Sequence, residues 1–137
     1  MARSKVVKAY CVKEPWATLQ VRGIKGAEIR SRRTNHRGEL LVVSSLQPDM
    51  KAVRIHTAAS GSIPITNLGM AIGFVHVVDC VPFTPDLVGL AMTKCPVMGT
   101  PWAWLLDRTR ARFIEPFPVK GRLGLFDVSY REVTEIQ

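Results

Sequence analysis

Met70-Ala71-Ile72-Gly73-Phe74-Val75-His76-Val77-Val78-Asp79-Cys80-Val81 is a long, largely apolar run. Its length and β-branched residues predict a buried central strand. Asp79 is the one carboxylate within it, and two roles are open: a general base in a cleft, or the cap of a strand end. His76 alternates with Phe74 and Val78, so it reads as a core or cleft-wall histidine rather than a catalytic one.

The rest of the chain supplies neighbours for this strand. Upstream, Val6–Val12 is apolar and β-branched and predicts a strand. Glu14-Pro15-Trp16 opens a short helix that places Trp16, Leu19 and Gln20 on one face and ends at Gly23. Ala27–Arg33 has strand character with Glu28, Arg30 and Arg32 on one face. The turn Asn35-His36-Arg37-Gly38 leads into an apolar strand, Glu39–Leu46, and the two strands are expected to pair as a hairpin. Pro48–Ala59 carries Met50, Val53 and Thr57 at helical spacing, with Gly61 as its stop. Downstream, Thr84–Gly89 fits a helical turn, Lys94–Thr100 a loop, and Trp102–Ile114 a strand with room for a bend. Pro116–Gly124 reads as a loop and Leu125–Tyr130 as a last short strand. About five to six strands with two or three short helices predict an α+β barrel, and the absence of a linker predicts one domain over 1–137.

Composition narrows the function classes. The chain has 137 residues, 47% of them hydrophobic, enough for a proper core. No apolar run approaches the ~18 residues needed to cross a membrane. Lys8 interrupts the first apolar residues too early for a signal peptide, so a cytoplasmic location is expected. Cys11, Cys80 and Cys95 lie far apart and form no metal-ligand spacing, so neither a metal nor another cofactor is expected. The formal net charge is +8, which favours a polyanionic partner. Its distribution is uneven. Residues 1–56 hold 12 Lys and Arg against 4 Asp and Glu, whereas residues 57–137 hold 7 of each.

A resemblance sharpens this reading. Pro15-Trp16-Ala17, then Gly23-Ile24-Lys25 with Glu28 and Arg30, then Arg37-Gly38-Glu39-Leu40-Leu41 resemble the signature of the ASCH domain (activating signal cointegrator homology). Ala71-Ile72-Gly73 through Val78-Asp79-Cys80 resembles the family's central strand. Trp102-Ala103-Trp104-Leu105-Leu106, Pro116-Phe117-Pro118-Val119-Lys120-Gly121 and Leu123-Gly124-Leu125-Phe126 resemble its last strands. The similarity spans about residues 6–128. It implies a PUA-like mixed or antiparallel barrel with a cleft beside the first helix, lined by the Gly-x-Lys-x-x-Glu-x-Arg segment. It also implies RNA, another single-stranded nucleic acid or a modified nucleotide as partner. Some relatives hydrolyse N4-acetylcytidine and one is a ribonuclease, so the resemblance gives a substrate class and no reaction.

Within that frame, Lys25, Arg30, Arg32, Arg33 and Arg37 are candidate phosphate contacts, with Glu28 a candidate acceptor for a base amino group. The alternative is a structural ion-pair ladder and a solvated turn. Arg108, Arg110 and Arg112 alternate and are expected to share a strand face. Trp16, Trp102 and Trp104 are stacking candidates, with Trp16 the one most expected in the core. If the chain is an enzyme, Lys25, Glu28 and Asp79 are its candidate catalytic residues. The deacetylating relatives pair the lysine with a threonine three residues later; here that position is Glu28, and the nucleophile is missing. Thr18 and Ser31 do not occupy the required spacing.

Overall fold

The computed structural model describes residues 2–60, 65–93 and 99–133. Gly61, expected to stop the second helix, and most of the 94–100 loop lie outside these residues. Seven strands form one mixed sheet: β1 (Ala2–Val12), β2 (Ala27–Arg30), β3 (Gly38–Ser44), β4 (Met70–Pro82), β5 (Trp102–Leu106), β6 (Arg112–Pro118) and β7 (Phe126–Val133). Helices α1 (Trp16–Val21), α2 (Met50–Ser60) and α3 (Val88–Ala91) complete an α+β barrel-like fold.

The strand order is β2-β5-β4-β3-β1-β7, with β6 also paired to β4. The expected central strand is central: β3 runs along one edge of β4, while β5 and β6 share the other. β6 pairs with the first part of β4, Met70–Phe74, and β5 with the last, Val77–Pro82, each ladder carrying a register shift, at Ala71/Gly73 and at Val77/Asp79. Gly73 is obligatory at the first shift, because a Cβ there would stand 2.3 Å from the Arg112 carbonyl oxygen and 2.4 Å from a Val21 methyl.

Two expectations are corrected. The strand beginning at Ala27 does not pair with the next strand as a hairpin. β2 pairs with β5, and β3 lies between β1, which it meets in parallel, and β4. The reason lies in burial. Leu40, Leu41, Val42 and Val43 are all buried, alternate residues entering two different apolar layers, so β3 belongs deep in the sheet. β2 ends after four residues with Arg30 half-buried, as suits a sheet edge.

The stretch expected as one strand from Trp102 is divided into two. The Asp107 carboxylate accepts from Thr109 N (3.0 Å) and Thr109 Oγ1 (2.7 Å), folding Arg108–Arg110 into a 3₁₀ turn. The same hydrogen bonds hold the Asp107 pKa below the usual carboxylate value. Arg108 and Arg110 therefore sit in a turn and do not share a strand face with Arg112. This division raises the strand count to seven.

Candidate functional site

The site is assembled from the end of β1, helix α1, and β2 with the segment that follows it. Glu14 opens α1 by accepting from Thr18 N at 2.8 Å and Thr18 Oγ1 at 2.7 Å. Gly23, at φ +76°, turns the chain out of the helix. Gly26 N then bonds to Leu90 O at 3.0 Å. A side chain at Gly26 would collide with Leu90, so α3 lies directly over this turn.

β2 then presents Glu28 and Arg30 on one face, opposite Trp104 and Trp102 of β5 in register. Glu28 is 8% exposed. Its two oxygens have separate partners: Gln20 Nε2 donates to Oε1 at 2.9 Å, and Arg30 Nε donates to Oε2 at 2.9 Å. Gln20 Oε1 in turn accepts from the Tyr10 hydroxyl. Burial, reinforced by Glu28 and opposed by Arg30, raises the Tyr10 pKa well above 10, so the hydroxyl keeps its proton.

Arg30 also donates through Nη2 to the Cys11 carbonyl at 2.6 Å, tying the edge strand β2 to β1. Its guanidinium lies 4.8 Å from the Tyr10 ring centre and 5.7 Å from that of Trp104. Those two rings are themselves stacked at 5.9 Å with 5° between their planes. An ion pair and two aromatic faces thus fix the guanidinium. The donors these contacts leave over are available to a ligand.

Above Arg30 opens a cavity of about 540 Å³ lined by Arg30–Thr34, Trp104 and Leu123–Leu125. That is the size of a small-molecule site. Among the described residues, three arginines, two hydroxyls and an indole contribute to its wall, and no carboxylate does. Trp104 Nε1 donates to Arg32 O at 3.0 Å, anchoring the segment that carries Arg32 and Arg33. Both of those side chains are exposed, and Arg33 lies 5.8 Å from the Trp102 ring.

The other expected residues are placed elsewhere. Lys25 is 4% exposed, donates to Ala91 O beneath α3, and sits 4.9 Å over the Trp16 ring. Burial lowers its pKa, against the opposing pull of Glu28. Trp16 donates to Asp49 at 3.3 Å and meets His56 edge-on, so it joins α1 to the start of α2 and does not line the cavity. Arg37 pairs with Asp79 at 3.6 Å and donates to the carbonyls of Thr34 and His36. Asp79 is not brought to Lys25 and Glu28. Cys80 stands on the Trp104–Glu28 row, and its exposed neighbour Asp79 points from the other face.

Sequence reasoning missed Gln20 as the partner of Glu28, Tyr10 as the donor to Gln20, and Leu123–Leu125 as a wall of the cavity. Gln20 shares the α1 face of Leu19, a usable signal. The 123–125 wall arises from a contact distant in sequence and left no local trace. Among the described residues, no cluster of His, Cys, Asp and Glu could hold a metal ion, and no helix is long and apolar enough to cross a membrane.

A mixed barrel-like sheet with an arginine-lined cleft at the edge of β2 defines a small α+β domain. The chain belongs to the ASCH domain family, whose model matches residues 11–95. Among solved structures it is similar to the ASCH protein from Zymomonas mobilis, with TM-score 0.62 and 12% identity over 88% of this chain and 86% of that one. A tyrosine-to-phenylalanine variant of the same protein gives TM-score 0.59 at 12% identity, covering 88% of each chain. At that identity the likeness establishes the fold. No curated protein matches the chain.

Proposed function

We propose that the cavity above Arg30 binds single-stranded RNA or a modified nucleotide, and that the chain acts as one domain over 1–137. The observation that carries this reading is that three arginines, and no carboxylate among the described residues, line the cleft. Arg32 and Arg33 neutralise phosphates, with Arg37 at the flank. Arg30, held by Glu28, offers its remaining donors to a phosphate or to acceptors on a base edge. Glu28 is engaged on both oxygens, so its role is to position Arg30. Trp102, at the rim, offers ring surface to a base, while the buried Trp104 holds the segment that carries Arg32 and Arg33.

The test is a titration with single-stranded RNA across salt concentrations. Three neutralised phosphates give a slope of about −2 in log K against log salt. Arg32→Ala with Arg33→Ala should cut this to about −0.7 and weaken binding about tenfold or more, whatever the sequence. A slope near zero in the wild type would remove the reading.

A second reading, hydrolysis of RNA or of an N4-acylated cytidine, rests on the burial of Lys25 in the field of Glu28; burial lowers its pKa, as in lysine general bases. Asp79 faces away and is not required. A base whose folded pKa lies below its unfolded value of about 10.4 costs stability at neutral pH. That cost fades as pH climbs from the folded pKa to the unfolded one. Lys25→Met should therefore raise neutral-pH stability, read as a higher urea midpoint, and flatten its alkaline rise. If the protein turns over labelled RNA or acylated cytidine, this more stable variant should be inactive. Retained turnover would exclude Lys25 from the chemistry.

A further inference from the structure

A second cavity lies on the far side of the loop that walls the first. It measures about 720 Å³ and is bordered by Cys11, Lys13, Ser45–Gln47 and Pro118–Gly121, among others. Like the first, it has no carboxylate in its lining among the described residues. Lys13 and Lys120 are both exposed, and neither takes part in an ion pair among the described residues.

The two cavities share one structural divide. Residues 118–121 border one and residues 123–125 the other, so Gly121 and Leu123 are separated by at most about 7 Å of chain. The loop is seated on β1 at Gly121, where a Cβ would stand 2.8 Å from Cys11 Sγ. Cys11 thus serves both sides: its carbonyl holds Arg30 in the first cavity, and its side chain lies along the second. At the crest, Leu123 is 99% exposed, an apolar side chain flanked by the exposed Arg122 and the cleft arginines.

We infer that single-stranded RNA bound in the arginine cleft continues across Leu123 into this second cavity, where Lys13 and Lys120 take up further phosphates. This rests on the proposed function of the first cavity. A strand that alternates anionic linkages with apolar base faces fits both features: cations in each cavity and an uncovered leucine between them. A free mononucleotide fills only the first.

The test compares a mononucleotide with an octanucleotide of single-stranded RNA, binding to wild type and to the Lys13→Ala, Lys120→Ala double variant. With five phosphates neutralised, the wild-type slope for the octanucleotide should be about −3.5, steeper than the three-phosphate value of the cleft alone. The double variant should bind it about tenfold more weakly, with the slope reduced by about 1.4, and the mononucleotide as wild type does. Lys13→Arg with Lys120→Arg should retain octanucleotide binding. If the alanine pair leaves octanucleotide affinity and slope unchanged while Arg32→Ala with Arg33→Ala weakens both ligands, the crossing is wrong and the cleft reading stands. If wild type binds neither ligand, the cleft reading itself fails and this inference with it. Equal weakening of both ligands would also overturn it, as would displacement of the octanucleotide by an acidic peptide of equal charge at equal concentration.

Discussion

Trp104→Ala should destabilise the protein by about 4 kcal/mol and abolish measurable binding in the arginine cleft. The side chain is 4% exposed and packs in the layer that holds Tyr10, Val77 and Leu106. Truncation removes a large buried surface, the ring stacked on Tyr10 and one aromatic face of Arg30. It also leaves the Arg32 carbonyl without its indole donor. Trp104→Phe separates these losses. It keeps a ring against Tyr10 but loses the hydrogen bond to Arg32, at a cost of about 1 kcal/mol from that bond. Because that bond anchors the segment carrying Arg32 and Arg33, the phenylalanine variant should bind RNA about fivefold more weakly, in proportion to the roughly 1 kcal/mol lost. Urea unfolding and RNA titration on both variants check this. Wild-type affinity in the phenylalanine variant would show that the anchor is irrelevant to the cleft.

What the sequence disclosed follows the range of the interactions involved. β4 was legible because its apolar run is a local pattern, and α1 because Pro15 and Gly23 bracket it. Glu28 and Arg30 were readable as same-face neighbours because strand parity spans only two residues. Pairing was not legible in the same way. The turn chemistry of Asn35–Gly38 suggested a hairpin, yet the apolar character of β3 on both faces drew it between β1 and β4. Trp16 illustrates the same limit, since its indole partner, Asp49, lies 33 residues away. Two roles were open for Asp79, a strand-end cap or a general base grouped with Lys25 and Glu28 if the chain is an enzyme. Its facing was decided by register with β5, including an irregularity at Val77/Asp79 that no local pattern encodes.

Glu28→Ala should cost about 3 kcal/mol and weaken RNA binding by about a hundredfold. Among the described residues the carboxylate is the only anion paired with Arg30, and it joins that guanidinium to a chain running through Gln20 to the buried Tyr10 hydroxyl. Removing it strands a positive charge that is largely enclosed by two rings, and leaves the Gln20 amide without an acceptor. Arg30 can recover hydration only by leaving its place over Tyr10 and Trp104, which empties the floor of the cleft. Glu28→Gln should do little better, since both oxygens receive donors and an amide offers only one oxygen. The decisive comparison is Glu28→Ala with Arg30→Met. Removing both partners relieves the stranded charge, so the double variant should be more stable than Glu28→Ala alone while still failing to bind. Stability of Glu28→Ala within about 0.5 kcal/mol of wild type would mean that the network does not hold Arg30. Full RNA affinity in the double variant would remove Arg30 from the site.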